Sequence, residues 1–385
     1  MFNENIAQSF ANTETPFYYY DMKVLNNTLQ SCKNAASSYG FHVHFALKSN
    51  FNDRILSAIK DTGFGADAVS GGEVKKAVEV GFAPQQIVFA GVGKSDAEIN
   101  YALDQNIFAF NVESVQELEV INELAGKKGK KAAVAIRVNP NVDANTHHYI
   151  TTGLDENKFG INSWDLPKVV ETLKKSPSLE FLGIHFHVGS QITDMNVFKS
   201  LCVKVNEIQK WFEERGVVVK VLNVGGGLGI DYHHPDDHSV PNFEAYFKIF
   251  KDFLEVKSHQ EVHFELGRAL VAQSGSLITR VLYVKHGIKK NFAVVDAGMT
   301  ELMRPALYQA YHKIENISKL TSSADQKYDV VGPICESSDC FGKEISFPET
   351  LRGDLIAIRS AGAYGEVMAS AYNLRPAIRH VFSDL

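Results

Sequence analysis

The run VVKVLNVGGGLG, residues 218–229, starts as an apolar, β-branched strand and stops on three successive glycines. Residues without Cβ let backbone N–H groups converge on an anion, and they also satisfy a tight turn that needs positive φ. At this level both readings of Gly225, Gly226 and Gly227 stay open. The neighbourhood weights them. Upstream, FLGIHFHVGS (181–190) is another β-rich run ending in polar residues, and downstream EVHFELGR (261–268) is a third.

Working outward, the same rhythm holds from about residue 23 to about 268. Strands are expected at 43–48, 66–69, 87–90, 107–112, 132–139, 181–187, 218–224 and 261–265, each rich in β-branched or aromatic residues and bounded by Gly, Asn or Ser. Helical patterns lie between them. Ser95 with Glu98 and Ser114 with Glu117 have capping-box spacing, and Val115, Leu118, Ile121 and Leu124 mark one buried helix face. With 23–38 as a leading helix, the helix–strand units number eight, the length of a closed parallel (β/α)8 barrel. An open doubly wound sheet uses the same alternation. After 268 the runs 277–286, 292–298, 328–334 and 354–360 alternate apolar and polar without long helices. The expected organisation is therefore α/β: a TIM barrel over 23–268, and a mainly β domain from 269–385 joined by residues 1–22, whose PFYYYD segment is too extended for the leading helix.

Composition narrows the class. Hydrophobic residues make up 45% and charged residues 22%, ordinary for a globular protein, and no apolar stretch is long enough for a membrane span. The net charge of −6 without basic clusters argues against nucleic-acid binding. Four unpatterned cysteines and an N-terminus with no basic stretch leading into an apolar core fit a cytoplasmic protein with reduced thiols. No residues are assigned to a metal.

In a parallel barrel the C-terminal strand ends open on one face, where active sites sit. Read to those ends, the strands deliver Lys48; Asp67 and Ser70; Arg137 and Asn139; His187 and Ser190; Gly225–Gly227; and Glu265, Gly267 and Arg268. Loops after the seventh and eighth strands are the recurrent phosphate site of this fold, and Arg268 adds a two-pronged donor. Lys48 ends the apolar run HVHFALK (42–48). It is either a salt-bridged strand end or an amine kept nucleophilic by desolvation, as a Schiff-base lysine requires. A phosphate pocket with a buried lysine suggests pyridoxal phosphate, which also needs a carboxylate on its ring nitrogen and a plane against its ring. Glu265 and His187 suit those tasks, while His185, two residues earlier, reads as a structural histidine one layer deeper.

These residues resemble the fold type III pyridoxal-phosphate decarboxylases. The resemblance spans nearly the whole chain, through FALKSN (45–50), GADAVSGGE (65–73), NVES (111–114), KFGI (158–161), HFHVGSQ (185–191), GGGLGI (225–230), ELGRALVA (265–272), DAGM (296–299), MRPALYQAYH (303–312), GPICESSD (332–339), GAYG (362–365) and YNLRP (372–376). It implies a cofactor linked to Lys48, its phosphate on the 225–229 loop and Arg268, His187 stacked on the ring, Glu265 at the ring nitrogen, and further contacts from Asp67, Ser190, Gly267 and Tyr364. It also implies a head-to-tail homodimer in which Cys335 and Glu336 reach the partner's site. One departure is visible: the family's Glu-Pro-Gly-Arg is Glu265-Leu266-Gly267-Arg268 here, with the Glu-to-Arg spacing intact.

The expected chemistry is loss of an amino acid's α-carboxylate as CO2, with Cys335 or Lys48 returning a proton to the α-carbon. Substrate choice falls to the distal end. Arg304 suits a carboxylate, Tyr308 follows four residues on, and Arg268, Tyr364 and Glu336 complete the set. A zwitterionic far end is what diaminopimelate has, and L-lysine would be the product. Rival expectations are a decarboxylase of ornithine, arginine or carboxynorspermidine, a racemase on the same barrel, and a binding protein without activity, against which intact Lys48, Glu265, Cys335 and Arg268 speak.

Overall fold

The structure is a computed structural model that describes residues 2–141 and 158–384. By compactness the chain forms two units: Leu29–Gly229 with Asn242–Gly267, and Met1–Thr28 with Ile230–Pro241 and Arg268–Leu385.

The first strand of the chain, β1 (Phe17–Tyr20), belongs to the second of these units. The next eight build the first: β2 (His42–Ala46), β3 (Gly65–Ala68), β4 (Ile87–Phe89), β5 (Ala109–Val112), β6 (Ala132–Arg137), β7 (Leu179–His185), β8 (Val221–Asn223) and β9 (Glu261–Leu266). They pair in sequence order, all parallel, and close into a barrel when β2 meets β9 with His42 opposite His263 and His44 opposite Glu265. That closure excludes the open doubly wound sheet.

The strands are shorter than their sequence patterns. β8 covers three residues of the expected 218–224, Val221–Asn223, and the chain turns just past it, where the Asn223 side chain accepts the Gly225 N–H at 3.0 Å. β7 stops at His185, so His187 and Ser190 lie in the loop beyond it. Asp67 and Glu265 differ in the other direction: both sit inside their strands and not after them.

The helices begin where the polar signals place them. Ser70, Ser95 and Ser114 each accept the backbone N–H three residues on. Only Ser95 and Glu98 form the reciprocal box; Glu117 turns instead to the Glu113 N–H at 2.7 Å and to Lys94 at 2.6 Å. Val115, Leu118, Ile121 and Leu124 are buried, as their period requires.

In the second unit, β10 (Gly275–His286), β11 (Asn291–Val295), β12 (Ile314–Asn316), β13 (Gln326–Val331), β14 (Cys340–Phe347) and β15 (Leu355–Ile358) form a mixed sheet in the order β12-β15-β10-β11-β13-β14. β1 joins it, antiparallel to β10 and parallel to β16 (Arg379–Phe382). The extended PFYYYD segment therefore does enter the β unit. The residues before it are not all extended: Asn3 caps a short helix, Glu4–Ser9, that packs Ile6 and Ala7 on a core of Phe10, Phe17, Tyr19 and Ile278. Strands β12, β14 and β16 escape the sequence reading because they are short or carry charge at exposed positions. No helix among the described residues is long and apolar enough to cross a membrane.

Candidate active site

The barrel's C-terminal end carries a buried electrostatic cluster. Glu265 is 7% exposed, yet its carboxylate is fully engaged: Asn111 Nδ2 and Asn223 Nδ2 each donate to Oε1 at 2.7 Å, and His185 Nε2 stands 3.0 Å from Oε2. Burial alone would push its carboxyl up, but His185, the Lys48 ammonium and Asn223 together hold it well below the usual carboxylate range. Glu265 is therefore a fixed anion. Asn223 also accepts the Gly225 N–H, so one side chain ties the glycine loop to this carboxylate.

Asp67 behaves oppositely. Burial, and then Glu265 beside it, push its carboxyl well above its ordinary value, more than Lys48 lowers it. Its Oδ1 accepts no hydrogen bond among the described residues. Two buried acids near one lysine thus divide the states, Glu265 anionic and Asp67 held toward the neutral form. For His187, burial and then the cations Lys48 and Arg137 depress the imidazole well below its ordinary value, which leaves a neutral plane. Arg137 is itself held by Glu113 at 2.8 Å.

The glycine loop is sterically determined. Gly225 and Gly227 have φ of +69° and +98°. A Cβ on Gly225 would fall 2.2 Å from the Phe186 carbonyl oxygen, and one on Gly226 would fall 1.9 Å from that of Glu265. The backbone thus lies flush on the strand ends, as a cradle for an anion must. At Gly267 a Cβ would crowd the Ser49 side chain at 3.1 Å.

The second unit holds a separate cluster of cations. Arg304 is 7% exposed, on the short helix Arg304–Tyr308. Its Nε donates to His312 Nε2 at 3.3 Å and its NH2 to Tyr232 Oη at 3.4 Å. Among the described residues it has no carboxylate partner. Burial lowers its guanidinium, and nearby Arg268 adds to that effect while Tyr232, Tyr364 and Tyr308 oppose it. Arg268 donates to Tyr232 Oη at 2.5 Å and lies 4.9 Å from the Tyr364 ring centroid. His312 Nδ1 donates to the Arg359 carbonyl at 2.8 Å, so its Nε2 is the acceptor that Arg304 needs. Burial and then Arg304 depress the His312 imidazole to about 3.

Lys48, Asp67, His187 and Glu265 are thus brought together in one unit, and Arg268, Arg304, Tyr308 and Tyr364 in the other. Cys335 and Glu336 are exposed on the loop between β13 and β14, with Tyr372 Oη donating to Glu336 at 2.8 Å. His185 is more than a core histidine, since it grips Glu265. Asn111, Asn223, Tyr232 and His312 are not singled out by the sequence at all. Asn111 and His312 lie within the family motifs and Asn223 just before the glycines, but an isolated amide or imidazole carries no period that separates a support from surface polarity.

Comparison with known proteins follows the same lines. Residues 25–272 match the family described as pyridoxal-dependent decarboxylase, pyridoxal binding domain. A diaminopimelate decarboxylase of Bacteroides thetaiotaomicron is 56% identical over 376 residues, 97% of each chain. The crystal structure of diaminopimelate decarboxylase from Helicobacter pylori complexed with L-lysine is 42% identical, superposes with a TM-score of 0.91, and is matched over 97% of this chain and 93% of that one. A lysine/ornithine decarboxylase from Vibrio vulnificus shares the fold, with a TM-score of 0.85 at 21% identity over 98% of this chain and 97% of that one.

Proposed function

The chain belongs to the pyridoxal-dependent decarboxylases, with the diaminopimelate decarboxylases among them, and from that premise we propose which side chains hold the cofactor, select the substrate and move the proton. It is a carbon–carbon lyase of lysine biosynthesis that takes meso-2,6-diaminopimelate to L-lysine and CO2 with pyridoxal 5'-phosphate.

The residues present fit that cofactor. A fixed anion at Glu265 suits a protonated ring nitrogen, the neutral His187 suits a stacked ring, and the glycine cradle suits a phosphate. When bound, the cofactor supplies the electron sink that carries the charge left as the α-carboxylate departs. Lys48 anchors its aldehyde, and Glu265, oriented by Asn111, His185 and Asn223, keeps the ring nitrogen protonated. Gly225, Gly226, Gly227 and Arg268 would hold the phosphate, with Asp67, Ser190, Gly267 and Tyr364 as further cofactor contacts. Cys335 or Lys48 delivers the proton to the α-carbon.

Substrate selection rests on one observation: Arg304 is a buried cation with no carboxylate partner among the described residues. Holding such a charge is costly without a counter-ion, and a ligand carboxylate supplies one. Arg304, with Arg268, Tyr308 and Tyr364 beside it, takes the distal carboxylate, and Glu336 the distal ammonium. Exposure of Cys335 and Glu336 supports their service to a second copy, in a cytoplasmic homodimer whose barrel (23–268) and β domain (1–22 with 269–385) complete each other's sites.

CO2 release measured across diaminopimelate stereoisomers, ornithine and arginine tests this reading. Turnover of the meso isomer should exceed that of ornithine and arginine, and Arg304→Ala should abolish the preference. Preference for ornithine or arginine, or unchanged turnover in Arg304→Ala, overturns the substrate assignment. A lysine-linked cofactor absorbance band that survives Lys48→Ala overturns the anchor.

A further inference from the structure

The barrel's other end holds a group that the decarboxylation does not use. Where β2 and β9 close the barrel, His42 faces His263 across the ladder, and Glu261 lies two residues before His263 on the same side of its strand. The ligand atoms of these three side chains lie within 4.8 Å of one another. They border a cavity of about 550 Å³ at the N-terminal strand ends.

The hydrogen bonds fix which nitrogen of His263 carries its proton. His44 Nδ1 lies 3.1 Å from the Gln86 carbonyl oxygen, which only accepts, so that nitrogen bears the hydrogen. His44 Nε2 is then a lone pair, 2.8 Å from His263 Nδ1, which must donate to it. His263 Nε2 is left as a lone pair facing Glu261 Oε2 at 3.2 Å. Two acceptors at that distance repel unless a cation lies between them. An added proton would join only those two, whereas a metal ion also draws in the exposed His42, whose ligand atom lies within 4.8 Å of the other two. Ligands at about 2.0–2.1 Å from a tetrahedral zinc stand about 3.3 Å apart, close to the observed 3.2 Å. A ligating histidine whose second nitrogen donates to a fixed acceptor is the usual support of such sites, and the Gln86–His44–His263 chain supplies it.

We propose that His42, Glu261 and His263 bind a divalent transition-metal ion of the zinc class, with His44 as the positioning residue for His263, and that this ion clamps the seam between the first and last barrel strands. Two imidazoles and a carboxylate leave a fourth position for water from the cavity. The site lies at the start of β2, while Lys48 follows its end, so the ion has a structural task.

The test uses the full chain loaded with pyridoxal phosphate, stripped with EDTA, dialysed, and titrated with zinc sulfate by calorimetry. One equivalent should bind with a Kd of about 10 µM or tighter, and saturation should raise the melting temperature by about 3 °C. His42→Gln and Glu261→Gln should each weaken binding by about tenfold or more and cancel the thermal gain, with the cofactor absorbance band and turnover unchanged. His233→Gln with His234→Gln, an exposed pair elsewhere, should leave binding as it was. Absence of binding at about 100 µM zinc, or binding indifferent to His42→Gln and Glu261→Gln, overturns the proposal and leaves a proton as the bridge. Because His42 and Glu261 are exposed, their variants test the site without relying on a buried substitution.

Discussion

Glu265 and Arg304 are both charged, both 7% exposed and both central to the proposed chemistry, yet the protein treats them differently. Around the carboxylate it has built three side-chain partners, two amides and an imidazole, so the anion is satisfied without a ligand. Around the guanidinium it has placed an imidazole, a phenol and a second arginine, which leaves the positive charge without a counter-ion among the described residues. The first arrangement suits a group that must keep one protonation state through every turnover. The second suits a group whose counter-ion arrives and departs. Completion marks a permanent tool and incompletion marks a binding site.

The contrast is most easily broken at Arg304. Arg304→Met should lower kcat/KM for diaminopimelate by about 10³, since a buried charged contact is worth several kcal/mol. The same change should raise thermal stability in the absence of substrate, because it removes an unpaired buried cation. Loss of both activity and stability would mean that the guanidinium is already satisfied, and the comparison would fail. At Glu265 the stability effect should have the opposite sign. Glu265→Leu should strand three donors and destabilise the fold by about 2–4 kcal/mol in urea unfolding, while Glu265→Gln should cut kcat by about 10² with less structural cost.

A smaller effect is expected at the residues that support Glu265. Asn223→Ala removes a donor from the carboxylate, so the Glu265 carboxyl should be held less far below its ordinary range and the acid limb of kcat should move to higher pH. A limb that stays in place would assign the anion's stability to His185, Asn111 and Lys48. A further effect, confined to stability against pH, concerns His312. Its imidazole is depressed from 6.5 to about 3, so the folded chain binds fewer protons than the unfolded chain between those values. Its contribution is complete above pH 6.5 and is lost as pH falls toward 3. His312→Gln should therefore lose about 2 kcal/mol less than the parent between pH 7 and 4.5. Equal losses would mean that Arg304 does not rely on a neutral His312.

Much of this is legible in the amino-acid sequence. Periodicity locates all eight barrel strands to within a few residues, since a parallel strand buried on both faces must be apolar along its length. Glycines and charged groups after those strands stand out because they interrupt that rule, as at Lys48, His187 and Gly225–Gly227. The supports do not stand out. Asn111, His185 and Asn223 come from three different strands, β5, β7 and β8, and meet at one carboxylate only after the barrel closes.

By itself the sequence determined the eight-fold helix–strand alternation, the cofactor class and the candidates for the reacting side chains, because burial patterns and chemical type are local properties, while the pairing of β2 with β9 decided the closed barrel over an open sheet. Tertiary structure alone decided which charges were satisfied. Whether Glu265 is an anion, Asp67 neutral, Arg304 uncompensated or His263 a lone pair depends on neighbours distant in the chain. Protonation and counter-charge are set by distances that no stretch of residues contains.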